Sequence, residues 1–214
     1  MKQIVAVGRD IYIHPPVHRH TIIWLHGLGD SAEGFLPIFE ERDILPDCKV
    51  VLLTAPKQPV SLNGGYVMNS WYDIERIGRN TVHPQATASA QRISKVIDEE
   101  RKLTENVILG GFSQGGAMSL YTGLVMYPQP LKAIVALSSY AFEMEIPERS
   151  KQTPVFIYHG QDDDLISEQM ARRSYETVLA GMSYHYETES MLPHSVSERE
   201  FDKISSWLSD VVKS

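Results

Sequence analysis

Five short runs of this chain are apolar almost without interruption: residues 21–25 (TIIWL), 49–54 (KVVLLT), 106–112 (NVILGGF), 133–138 (AIVALS) and 154–159 (PVFIYH). A strand with one wet face alternates apolar and polar residues. A strand buried on both faces, as in a parallel sheet under two layers of helices, reads as a continuous apolar run. Longer segments with helical periodicity separate the runs: 31–44, 87–102, 114–126, 167–179 and 197–212. In the second of these, Ala90, Ile93, Val96 and Ile97 share one face and charges occupy the rest. Residues 183–189 alternate well enough to form a last strand near a sheet edge. Strands alternating with helices predict a single, mostly parallel sheet with helices on both faces. The 214 residues fit one domain, 1–214. Chemistry on such a sheet belongs at the carboxyl ends of the strands.

Composition excludes several classes. Hydrophobic residues at 43% and charged residues at 22% describe an ordinary globular chain. A formal net charge of −7 disfavours a nucleic-acid partner. No apolar segment approaches the ~20 residues that span a bilayer, and the first twenty residues lack the apolar core of a signal peptide. Cytoplasmic location and no stable membrane insertion are the expectation. The one cysteine, Cys48, has no disulfide partner and precedes an apolar run, where a small buried hydrophobe fits. His14, His18 and His20 cluster around Pro15-Pro16 without a further ligand set, so no metal or other cofactor is expected. Residues 55–73 break the alternation. They are rich in Pro, Gly and Asn yet carry Tyr66, Met68, Trp71 and Tyr72, which predicts an ordered loop lining a site.

Gly111-Phe112-Ser113-Gln114-Gly115 follows one strand pattern directly and opens a helix. In that setting G-x-S-x-G marks a tight turn that exposes a serine nucleophile, with small residues where the backbone must pass closely. The alternative is a glycine-rich turn used only for packing. A serine hydroxyl needs a general base, and the developing oxyanion needs donors. The backbone N–H of Gln114, next to the nucleophile, is one candidate donor. The N–H of Leu28, in the turn Gly27-Leu28-Gly29-Asp30 after an earlier strand, is the second. The acid and then the base follow the nucleophile in this chain order. His194 comes after the last strand and before the final helix, and it is the expected base. His159 and His185 fall within strand patterns. The acid follows the run 154–159, where Asp162, Asp163 and Asp164 are equivalent by position.

Leu25-His26-Gly27-Leu28-Gly29-Asp30, Gly111-Phe112-Ser113-Gln114-Gly115-Gly116, His159-Gly160-x-x-Asp163 and Ser70-Trp71-Tyr72-Asp73-Ile74 together resemble the phospholipase/carboxylesterase family of α/β-hydrolases, which includes acyl-protein thioesterases. The resemblance runs over nearly the whole chain in the same order. It implies the α/β-hydrolase fold without a large lid domain, and Asp163 as the acid of a Ser113–His194–Asp163 triad. It also implies Leu28 and Gln114 as oxyanion donors. The substrates it implies are carboxylic esters or thioesters: short- to medium-chain acyl esters, lysophospholipids or S-acylated proteins. Leu28, Met68, Trp71 and Tyr72 are expected to line the acyl site, and the chain to be a monomer or weak homodimer. A lysophospholipase, a depalmitoylating thioesterase and a catalytically idle binding protein on the same fold are the alternatives.

Overall fold

A computed structural model describes residues 2–78 and 80–213. An eight-stranded sheet runs through it in the order β1-β2-β4-β3-β7-β8-β9-β10. The strands are β1 (Gln3–Val7), β2 (Asp10–His14), β3 (His20–Leu25), β4 (Cys48–Leu53), β7 (Val107–Phe112), β8 (Ala133–Leu137), β9 (Val155–Gly160) and β10 (Tyr184–Glu189). From β4 to β10 every neighbouring pair is parallel; β1 and β2 form an antiparallel hairpin at one edge. Among the described residues, five α-helices cover the sheet: α1 (Ala32–Glu41), α2 (Pro84–Arg101), α3 (Gln114–Tyr121), α4 (Glu168–Val178) and α5 (Glu198–Val211). A π-helical turn, Thr122–Met126, extends α3.

The continuous apolar runs have a direct physical reading in this arrangement. Along β3, Ile23 and Leu25 enter one core with α2, α3 and α4, while Ile22 and Trp24 enter the other with α1 and α5. Residues of β4 and β7 divide in the same way, and only the end residues His20 of β3 and Phe112 of β7 are partly exposed. Trp24 anchors the second core, with ring centroids 5.6, 5.2 and 5.9 Å from Phe35, Phe39 and Phe201. Burying one such side chain contributes roughly 1.5–3 kcal/mol.

Two elements differ from the sequence reading. The β1–β2 hairpin was not anticipated. The segment expected to be a loop, 55–73, holds a second sheet, with β5 (Lys57–Val60) antiparallel to β6 (Tyr66–Asn69). Pro59 and the Gly64-Gly65 pair suggest a loop, but both suit a two-stranded ribbon, where proline tolerates an edge and glycine makes the turn.

Helix α5 opens with a capping box. The Ser197 hydroxyl accepts from the Glu200 N–H at 3.1 Å, and Glu200 Oε2 accepts from the Ser197 N–H at 3.4 Å. Glu200 is fully buried, and its Oε1 has no partner among the described residues. Burial pushes its carboxyl well above the usual range, reinforced by the nearby Glu189 charge and opposed by the Ser197 amide. The folded state thus holds a proton that the unfolded chain releases above about pH 4.3. Stability from this group is full below that pH and declines as pH rises toward the folded pKa. Glu200→Gln is expected to match the parent at pH 4 and to be more stable than it at pH 8, read from urea unfolding at both pH values. Equal differences at the two pH values would mean that Glu200 is ionised in the folded chain.

Candidate active site

Between the last residue of β7 and the first of α3 stands Ser113, with φ 54° and ψ −119°. A positive φ at a non-glycine residue costs on the order of 1–3 kcal/mol and persists only where the surroundings enforce it. Here they do. The Ser113 N–H donates to Leu137 O at 2.8 Å, and its carbonyl accepts from Ser139 Oγ at 2.7 Å and from the Gly116 and Ala117 amides. Gly115 lets this turn close, because a Cβ there would overlap the Leu25 carbonyl. Ser113 is 8% exposed, at the amino end of α3.

Two loops from neighbouring strands meet this serine. His194 lies in the β10–α5 loop, with Nε2 2.9 Å from Ser113 Oγ and Nδ1 2.7 Å from Asp163 Oδ2. Its ring packs against Phe112, centroids 4.9 Å apart. Asp163 lies in the β9–α4 loop and is buried, whereas Asp162 and Asp164 are exposed. Asp163 Oδ1 accepts from the Leu165 and Ile166 amides at 3.0 and 2.8 Å. Desolvation alone would raise the Asp163 pKa. The hydrogen bonds from His159, His194 and Ile166 outweigh it and hold the carboxyl well below the usual range. An ionised carboxylate only accepts, so His194 carries its proton on Nδ1 and presents Nε2 to the Ser113 hydroxyl as an acceptor.

The loops that carry Asp163 and His194 are stitched together. Gln161 N–H donates to Glu189 O at 2.8 Å, and Asp162 N–H donates to Leu192 O at 3.1 Å. At Gly160 the two backbones pass so closely that a Cβ would overlap Leu192 O. Gly160→Ala is expected to separate Asp163 from His194 and to lower kcat at least about 100-fold, because misplacement by about 1 Å is enough for that loss. Steady-state kinetics on the folded variant check this, and near-parental turnover would show that the loops can shift together.

The turn after β3 closes with Asp30 N–H donating to Gly27 O at 3.3 Å. His26 braces it. Nε2 accepts from the Ala55 amide at 3.0 Å, leaving Nδ1 to donate to Gly27 O at 2.5 Å. Neither the Leu28 nor the Gln114 amide donates a hydrogen bond among the described residues; the latter, as the first amide of a helix, has no intrahelical acceptor. The β5–β6 ribbon is tied to the same turn, with Gly29 N–H donating to Asn69 O at 2.8 Å and Asn69 Nδ2 to Asp30 O at 2.6 Å.

The four residues expected to line the acyl site divide. Leu28 is half-buried, as is Met68, whose sulfur stands beside Gly29. Trp71 is 0% exposed and Tyr72 3%, so both are core residues and not groove walls. Trp71 donates its ring N–H to His26 O at 2.9 Å. Tyr72 shares a 2.7 Å hydrogen bond with the Tyr140 hydroxyl, and one side of this buried pair bounds a cavity of about 150 Å3 also lined by Ile74, Val82 and Pro84. The sequence reading missed the clamp behind them. The Gln114 side chain accepts from the Trp71 amide at 2.8 Å and donates to Tyr72 O at 2.7 Å and Ser70 Oγ at 3.0 Å. The polar Ser70 within an aromatic stretch is the only trace of it in the sequence.

The remaining candidates lie apart from this site. His185 stacks on Phe156, and His83 accepts from the Gln85 amide at the start of α2. Cys48 is buried, which pushes its thiol up to about 12. Among the described residues, no group of three or more His, Cys, Asp or Glu could hold a metal ion, and no helix is long and apolar enough to cross a membrane.

A parallel sheet covered on both faces, a strained serine between strand and helix, and a histidine and a carboxylate converging from later loops are the attributes of an α/β-hydrolase. This chain belongs to the phospholipase/carboxylesterase family, whose sequence profile matches residues 12–212. It is 31% identical over 220 residues to acyl-protein thioesterase 1 homolog 1 of Dictyostelium discoideum, covering 96% of this chain and 97% of the relative. It is 33% identical over 213 residues to acyl-protein thioesterase 1 of Yarrowia lipolytica, covering 92% and 93%. Among solved structures, SOBER1 of Arabidopsis thaliana superposes with a TM-score of 0.83 at 30% identity, covering 91% of this chain and 99% of that one. Acyl-protein thioesterase 2 of Zea mays gives 0.86 at 27% identity, covering 96% and 100%. The family is one of serine ester hydrolases.

Proposed function

We propose that residues 1–214 form one hydrolase domain that cleaves carboxylic esters and thioesters through an acyl-enzyme, with Ser113 as nucleophile, His194 as base and Asp163 as orienting acid. The observation that carries this reading is the unbroken chain Ser113 Oγ–His194 Nε2 at 2.9 Å and His194 Nδ1–Asp163 Oδ2 at 2.7 Å. His194 takes the Ser113 proton as the oxygen attacks the carbonyl carbon. The amides of Leu28 and Gln114 receive the oxyanion. His194 then gives its proton to the departing alcohol or thiol, and a water activated by the same imidazole releases the acid. Apart from substrate and water, these steps use side chains and backbone amides of this chain.

Leu28 and Met68 stand at the proposed oxyanion turn, and the buried Tyr72–Tyr140 pair closes one side of the small cavity also lined by Ile74, Val82 and Pro84. This favours short- to medium-chain acyl groups. The names of the relatives favour S-acylated proteins among the physiological esters, with lysophospholipids as the alternative. The enzyme is read as cytoplasmic, a monomer or weak homodimer without stable membrane insertion.

A fluorophosphonate probe tests the assignment. It is expected to add once, on the peptide carrying Ser113, and to block turnover of p-nitrophenyl esters. Labelling at another residue would remove Ser113 from its role. Labelling at Ser113 with no turnover of any ester or thioester would favour an idle binding fold.

A further inference from the structure

His159, the penultimate residue of β9, has a fully buried side chain, and the hydrolytic steps above do not use it. Its Nε2 stands 2.8 Å from the Ile166 carbonyl oxygen and 3.3 Å from Asp163 Oδ2. Both are acceptors. Its Nδ1 is buried with no partner among the described residues, so a proton there would be a buried donor without an acceptor. The ring proton therefore belongs on Nε2, directed at Ile166 O with Asp163 Oδ2 3.3 Å away. Asp163 Oδ2 is the same oxygen that accepts from His194. Ile166 also returns a bond, its amide donating to Asp163 Oδ1 at 2.8 Å. One imidazole thus closes a ring through the carboxylate and the turn that follows it.

We propose that His159 is a positioning residue for Asp163: its Nε2–H fixes the carboxylate plane so that Oδ2 faces His194, and it draws off part of the charge on that oxygen. This rests on Asp163 being the acid. The ionisable groups that meet the carboxylate are His159 from β9 and His194 from the β10–α5 loop, with the exposed Asp162 and Asp164 beside it in its own loop. Without the His159 N–H, more charge on Oδ2 faces His194 and favours its protonated form. The acid limb of the kcat/KM profile then moves to higher pH.

His159→Leu and His159→Gln separate this role from packing, since a glutamine amide nitrogen reaches the place of Nε2. The leucine variant is expected to lose about ten- to a hundredfold in kcat with little change in KM, and to shift the acid limb upward. The glutamine variant is expected to recover most of both. Equal losses in the two variants with an unmoved acid limb would reduce His159 to core packing and overturn the proposal. Should the leucine variant fail to fold, nitrogen-15 spectra of the parent decide. A neutral Nε2–H ring whose signal moves on Asp163→Asn supports the proposal, and an Nδ1–H ring or an indifferent signal overturns it. Asp163→Asn also distinguishes the two levels of inference. Parental turnover in that variant would remove the acid assignment itself. Lost turnover there, with His159 variants behaving as the parent, would remove only the positioning role.

Discussion

Ser113→Ala is expected to lower kcat for p-nitrophenyl butyrate by about 10⁵–10⁶-fold, the loss that follows when an activated serine is removed while the remaining machinery stays in place. The Leu28 and Gln114 amides, the proposed oxyanion donors, would still be in place to polarise a bound carbonyl and set the residual rate. Folding should not suffer, because it is the Ser113 amide and carbonyl, not its hydroxyl, that bond to Leu137 O and the Ser139 hydroxyl. Ser113→Gly at the same position is expected to be equally inactive but more stable than the parent by about 1–2 kcal/mol, since glycine adopts a positive φ without the side-chain penalty. Active-site titration with burst kinetics, run beside thermal unfolding, reads both quantities. An alanine variant keeping more than a few per cent of parental turnover would end the assignment of Ser113.

The second large effect lies at the opposite end of the sheet. Near the start of β4, Lys49 Nζ pairs with Glu100 Oε1 at 2.6 Å, with side chains 8% and 4% exposed, and Thr21 Oγ1 donates to Glu100 Oε2 at 3.1 Å. Glu100→Ala would leave an ammonium buried beside Tyr12 with no counter-charge. The expected cost is about 3–5 kcal/mol, or roughly 6–20 °C in Tm for a chain of this size. The double replacement Lys49→Met with Glu100→Leu removes both charges at similar volume and is expected to be neutral or stabilising. Denaturant midpoints of Lys49→Met, Glu100→Leu and the double variant form the cycle. Single-variant losses below about 1 kcal/mol would mean that water reaches the pair. Turnover per folded molecule should be unchanged, because Thr21 and Lys49 sit near the starts of β3 and β4 while Ser113 follows the end of β7.

What could be read from the residues alone follows from how each part is buried. Strands β3, β4, β7, β8 and β9 were legible because both of their faces are dry and most of their positions are apolar, Thr21, Lys49 and His159 being the buried polar exceptions. The β1–β2 hairpin was not, since β1 lies almost wholly exposed and its Ile4 and Val7 face solvent. The β5–β6 ribbon was obscured by the turn residues that let so short a sheet form. At the site, Ser113 and His194 stand out because strand–turn–helix order and chain order constrain them. Position alone left Asp162, Asp163 and Asp164 equivalent; the resemblance singled out Asp163, and of the three it is the buried one. Trp71 and Tyr72 illustrate the same limit: an aromatic side chain is equally suited to a groove wall and to a core, and here the Gln114 clamp draws both inward.

That clamp has a consequence for descent and for laboratory evolution. The residue whose amide neighbours Ser113 also grips residues 70–72, so a lineage that remodels this stretch to admit a new acyl group disturbs the reaction centre in the same step. Variants selected for altered chain length should collect their early changes at Ile74, Val82 or Tyr140, which border the cavity without bonding to Gln114. Positions 70, 71 and 114 should change late, and together.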